Sequence, residues 1–159
     1  MPNYFSLKGI REFNGKIREM ETTLNKLKAE TNPTAQQSGD RWHDNPGFYT
    51  LMTDMRMATE SLKRDYAIRR DMEVVDYPSN PEHVCLGCTV LAEENLERRV
   101  FHIAGFGESD PKNDIIAYNT PLAKGMIMKK PDEIVRIATE KGSPRLIKIL
   151  EVRPYEGPT

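Results

Sequence analysis

IREFNGKIREMETTLNKL, residues 10–27, sets Ile10, Phe13, Ile17, Met20, Leu24 and Leu27 at steps of 3, 4, 3, 4 and 3 among Lys, Arg, Glu, Asn and Thr. That spacing puts all six on one stripe of a helix, the seam of a coiled coil. Ser6 is placed to cap its start, and Thr31-Asn32-Pro33 predicts a break or kink, because a residue before proline is pushed away from the α region. Residues 33–45 read as a loop, with some helix at 34–37. Beyond it Phe48, Leu51, Met55, Ala58, Leu62 and Tyr66 repeat steps of three and four, with Asn45 as cap and Pro46 in the first helical position. This second helix runs to about Asp71, and its roughly 25 residues reach about 37 Å. Two complementary stripes with a short connection predict an antiparallel hairpin.

Working outward, Asp76-Tyr77-Pro78-Ser79-Asn80-Pro81 marks a boundary between residues 1–77 and 78–159. Short β-like runs follow at 83–91, 99–105, 115–118, 134–138 and 145–152, with turns at Gly107, Pro111-Lys112-Asn113-Asp114 and Gly142-Ser143-Pro144. Thr120-Pro121 opens one short helix that carries Leu122, Ala123 and Met126 toward the sheet. The fold class is therefore α+β: an N-terminal coiled-coil hairpin, then a small, mostly antiparallel sheet with one helix.

Composition narrows the function. The 159 residues carry 23 basic and 24 acidic side chains, a net charge of -1, evenly divided between the halves. Nucleic-acid affinity driven by bulk charge needs a basic excess that is missing here. No apolar run approaches the roughly 20 residues that cross a bilayer, and the N-terminus lacks a secretion signature, so a cytoplasmic, non-membrane protein is expected. With two cysteines there is no disulfide framework, and the core must be apolar packing.

Cys85-Leu86-Gly87-Cys88 has the spacing of half a zinc site, which His83 and His102 would have to complete. The segment reads better as a strand turning at Gly87. A thioredoxin-like role would need a helix after the first cysteine. Gly105-Phe106-Gly107 lacks the following helix of a phosphate loop and reads as a strand-end turn.

The hairpin turn holds Gly39-Asp40-Arg41-Trp42-His43-Asp44-Asn45-Pro46. Two carboxylates within one turn make half of a Mg²⁺ site, since that ion takes one or two carboxylates with water and substrate phosphates. Equally, Asp40 can be a turn residue and Asp44 a charge at a helix N-terminus. Trp42 at a tip suits a partner contact, and His43 reads as a polar turn residue.

The chain resembles the Gre family of bacterial transcript cleavage factors over nearly its whole length. The most specific stretch runs from Gly105-Phe106-Gly107-Glu108-Ser109-Asp110-Pro111 through Ile115-Ile116-Ala117-Tyr118-Asn119-Thr120-Pro121-Leu122-Ala123-Lys124-Gly125 to Lys129-Lys130-Pro131-Asp132-Glu133-Ile134-Val135. Thr120 stands where the family has serine, and Pro131 where it has glycine. The resemblance implies a coiled-coil hairpin joined to an FKBP-like antiparallel-sheet domain. It also implies that the hairpin enters the secondary channel of RNA polymerase while the second domain docks at the rim, with Glu108, Asp110 and Pro121 in its matching motif. Asp40 and Asp44 would then be the catalytic and metal residues, holding a Mg²⁺ shared with the polymerase and bound only on docking, while Trp42, His43 and Asn45 form the contacting tip. Backtracked RNA would be met indirectly, by a monomer that activates hydrolysis without being an enzyme itself. The family tip has two residues between its acidic positions, and this chain has three. That difference keeps a channel-binding regulator without cleavage as an alternative; a coiled-coil scaffold or adaptor is the other. The FKBP-like fold alone does not imply prolyl isomerase activity.

Overall fold

The computed structural model describes residues 2–37, 45–138 and 142–158, for 32–37 the backbone alone. The chain divides into two compact units, one of residues 11–72 and one that joins residues 2–10 to 73–159.

The first unit is a pair of helices, α1 at Leu7–Gln37 and α2 at Pro46–Arg70, about 46 Å and 37 Å long at 1.5 Å per residue. α1 runs through Pro33, where a break was expected. One proline deletes one backbone hydrogen bond, a cost of about 3 kcal/mol; a helix held along its seam absorbs that. α2 begins as its sequence demands: the Asn45 side chain accepts from the Gly47 N–H at 2.9 Å, with Pro46 next in the chain.

Ile17, Leu24 and Leu62 are buried between the helices, with Phe13, Met20, Met55 and Ala58 packed on them. One seam position departs from expectation. Tyr66 is 38% exposed, its hydroxyl donating to Glu21, while Asp65 is 6% exposed. Continuing the 3, 4 alternation after Leu62 leads to 65, and one residue turns a helix by about 100°. The buried carboxylate lies 3.3 Å from the Lys16 ammonium. Lys16→Met should therefore destabilise the hairpin by about 1 kcal/mol in urea unfolding, whereas Asp65→Leu, which removes the charge that needs a partner, should be neutral or stabilising.

The second unit is built on a five-stranded sheet in the order β5-β4-β3-β7-β6, formed by Cys88–Glu94 (β3), Glu97–Ala104 (β4), Ile115–Ala117 (β5), Ile134–Ile137 (β6) and Arg145–Pro154 (β7). Three of its pairings are antiparallel, as a mostly antiparallel sheet requires, but β4 and β5 run parallel, so the sheet is mixed and not purely antiparallel. The cause is the connection, which crosses through a 3-10 turn at Pro111–Asn113 before re-entering beside β4. Val90, Ile103, Val135, Ile147 and Ile149 form one buried face, covered by Ala123 and Met126 of α3, Pro121–Met126.

Two further strands, Asn3–Phe5 (β1) and Met72–Val74 (β2), pair as a small sheet of their own. Phe5 is fully buried, 5.4 Å from the ring of Phe106. The backbone reinforces the seat: the Phe106 N–H donates to the Tyr4 carbonyl at 2.7 Å. No described helix is long and apolar enough to cross a membrane.

Candidate functional site

The two helices leave residues 38–45 to connect Gln37 to Pro46. Asp40, Trp42, His43 and Asp44 lie outside the described residues; of the tip, Asn45 is described, as the cap of α2. Its side chain is committed to the Gly47 N–H, so what it adds is the start point of the second arm.

The three residues singled out in the second unit occupy distinct structural posts. Glu108 accepts from the Ser6 N–H at 2.9 Å and from the Ser6 hydroxyl at 2.8 Å, and the Ser6 oxygen in turn accepts from the Gly9 N–H at 2.9 Å. Ser6 thus caps α1 as its position suggested, but with a carboxylate 102 residues away holding the cap. Gly105 and Gly9 leave the room: a Cβ at Gly9 would lie within 2.0 Å of the Glu108 carboxylate and one at Gly105 within 2.2 Å. Asp110 caps the 3-10 turn, accepting from the Lys112 N–H at 3.1 Å and the Asn113 amide at 2.7 Å. Pro121 is the exposed first residue of α3, and Thr120 caps that helix by accepting from the Ala123 N–H at 3.3 Å. Glu108, Asp110 and Thr120-Pro121 are thereby accounted for by local geometry, each placing its own loop or helix start.

Sequence reasoning missed a cleft of about 230 Å³ lined in part by Ser6, Lys8, Tyr77, Glu108 and Tyr155. Its walls come from separate stretches of chain, so no local pattern announces it. Burial, and then the nearby Glu108 charge, push the Tyr77 phenol up to about 12. Tyr77 also stacks at a tilt on Tyr155, with centroids 4.9 Å apart.

A second missed feature is the fork between Glu94 and Arg145, with nitrogens 2.6 and 2.7 Å from the two carboxylate oxygens. The Arg145 hydrogen bonds hold the Glu94 carboxyl below its ordinary 4.5, with desolvation opposing them. A lowered acid pKa means the folded state releases its proton more readily than the unfolded one. The stabilisation is therefore complete above 4.5 and disappears as pH falls through the lowered value. Glu94→Gln should cost about 1–2 kcal/mol at neutral pH and almost nothing in acid, read by thermal unfolding across pH.

Cys85 and Cys88 meet across the turn, Cys85 half-buried and Cys88 fully buried. His102, a possible zinc partner, is instead engaged with the Thr89 hydroxyl at 2.9 Å. Among the described residues no group of three or more His, Cys, Asp or Glu is placed to hold a metal.

The matched family model is that of the C-terminal region of the transcription elongation factors GreA and GreB, and it covers residues 79–154. The Gre motif from Gly105 to Val135 falls wholly inside that span. Likeness continues into the helices. GreA of Thermoanaerobacter pseudethanolicus is 24% identical over 155 residues, covering 96% of this chain and 98% of its own length. GreA of Buchnera aphidicola from Acyrthosiphon pisum is 28% identical over 145 residues, covering 84% of this chain and 90% of its own. Among solved structures, the GreA factor homolog Gfh1 of Thermus thermophilus aligns over 96% of this chain and 99% of its own at 13% identity, with a TM-score of 0.45. The Gre-type reading thus rests on the sequence of the whole chain, with the C-terminal unit its firmest part.

Proposed function

We propose that this Gre-type chain is a transcript cleavage factor for RNA polymerase, entering the secondary channel with its two-helix arm and docking at the rim with its C-terminal unit. The observation that carries the reading is the likeness to GreA across 96% of the chain, arms included, with Asp40 and Asp44 in the segment that joins those arms. Paired helices of about 37 Å or more suit a probe that delivers side chains to a recessed site. In this reading the chain makes no bond itself; it activates hydrolysis that belongs to the polymerase.

The donor set fits a shared Mg²⁺. Two carboxylates four positions apart are hard oxygen ligands but too few for a closed protein cage, so the remaining ligands must come from the partner, with water and RNA phosphate. A Mg²⁺ held there supplies a Lewis acid and an activated water. Asp40 and Asp44 hold and orient; Trp42 and His43 pack the tip against channel walls; Asn45 fixes where the second arm starts. The test is addition to a stalled, backtracked complex carrying 5′-labelled RNA with Mg²⁺ present. Shortened RNA that can be re-extended is the expected result.

The three residues between Asp40 and Asp44, against two in the family tip, favour a second reading as well. A channel-occupying regulator would slow RNA synthesis, release no 3′ fragments and compete with an active cleavage factor. Failure to bind the polymerase at all would overturn both readings and leave a scaffold.

A further inference from the structure

We propose that Cys85 and Cys88 form a reversible intrachain disulfide when the folded protein meets a hydroperoxide, making the turn before β3 a redox-modifiable site. The proposal stands apart from the polymerase reading and rests on the geometry of the turn. Leu86 and Gly87 are its central residues, and Gly87 has φ of 78°, the positive value that the third position of a type II turn requires. A β-turn holds its first and fourth Cα atoms within about 7 Å. Disulfides span about 4.4–6.8 Å between Cα atoms, so the backbone already lies in bonding range.

The side chains converge. The Cys88 sulfur is 3.4 Å from the backbone nitrogen of Cys85, which donates to it, so it lies back over the first residue of the turn. Their environments differ in a way that assigns roles. Cys85 is half-buried and can be reached from solvent; Cys88 is fully buried among Val84, Val90 and the rest of the sheet core. No described metal-binding group claims either sulfur.

The chemistry balances with the peroxide as the only co-reactant. Cys85, as thiolate, attacks one peroxide oxygen; the O–O bond breaks, hydroxide leaves and a sulfenic acid forms. Cys88, losing its proton, attacks the Cys85 sulfur; the S–S bond forms as the S–O bond breaks and a second hydroxide leaves. The two thiol protons convert the two hydroxides to water, and two electrons pass from the sulfur pair to the peroxide. Burial raises both thiols above their ordinary value, Cys88 to about 12, so thiolate is scarce at neutral pH. The folded site therefore reacts more slowly than the same chain in urea, and faster as pH rises.

The test treats the full chain with hydrogen peroxide, then measures intact mass and counts thiols in denaturant. The expected product is a monomer lighter by about 2 Da, with both thiols lost and both restored by dithiothreitol. Cys85→Ser, checked for folding by circular dichroism, should keep Cys88 as a free thiol under the same treatment. Two thiols still counted after exposure, a disulfide between two chains, or Cys85 oxidised to sulfinic acid beside an intact Cys88 would each overturn the proposal.

Discussion

Asp40→Ala should lower the rate of RNA cleavage in backtracked complexes by at least about 100-fold, with affinity for the polymerase unchanged. The size follows from what the residue is proposed to do. A carboxylate that holds a catalytic cation acts on the transition state, so its removal appears in rate and not in binding. Asp44→Ala should behave alike if both carboxylates share one ion, and Asp44→Glu, which restores the longer side chain of the family tip, should retain activity. Arg41→Ala, a neighbour with no carboxylate, is the control for general damage to the tip. Equal cleavage by wild type and both alanine variants would remove Asp40 and Asp44 from the chemistry. Strong binding with no cleavage even by wild type would instead identify a channel regulator, and deleting one residue between Asp40 and Asp44 would then be expected to create activity.

Gly87→Ala should destabilise the C-terminal unit by about 3 kcal/mol. Two separate costs add. A residue with a Cβ at φ of 78° loses about 1–2 kcal/mol, and the new methyl would fall 2.3 Å from the Tyr77 ring and 2.8 Å from its Cβ, where something must move. Tyr77 has little freedom to give way, being stacked on Tyr155. Overpacking of this kind costs about 1–3 kcal/mol. A double-mutant cycle separates the parts: in a Tyr77→Ala background the ring is gone, and Gly87→Ala should cost less by about 1 kcal/mol or more. Additive effects would mean that the clash is relieved elsewhere and that the backbone conformation alone sets the cost.

The heptad from Ile10 to Leu27 was enough to read the body of α1, because a seam is a local property of spacing, but not its passage through Pro33 to Gln37. The same arithmetic exposes where reading by residue type went astray: steps of 3, 4, 3, 4 and 3 from Phe48 lead to Asp65, and preferring the aromatic at 66 overrode the period. Asn45-Pro46 and Thr120-Pro121 were legible because a cap and a first-turn proline act within four residues. Glu108 was legible as part of a motif but not as the holder of the α1 cap, since nothing in its neighbourhood names Ser6. The parallel pairing of β4 with β5 was equally hidden, because strand direction is decided by the path between strands. β1 and β2 have three residues each, too few for an alternating pattern to show, and they declare themselves only through their pairing. Of the candidate site, the residue types and their family correspondence could be read; their mutual geometry lies at a tip outside the described residues.

Phe5 has a consequence for the order of events during synthesis. It leaves the ribosome about a hundred residues before Phe106, the ring it packs beside, and a chain emerging at about 5–20 residues per second spends several seconds with that side chain homeless. The heptads of the first arm find their partner in the second long before the sheet exists, so the arms are free to close while Phe5 waits. Phe5 is then made long before the ring that covers it, and its burial waits on the sheet. A chaperone that grips nascent hydrophobic segments would have its longest opportunity at Phe5 rather than at the sheet core.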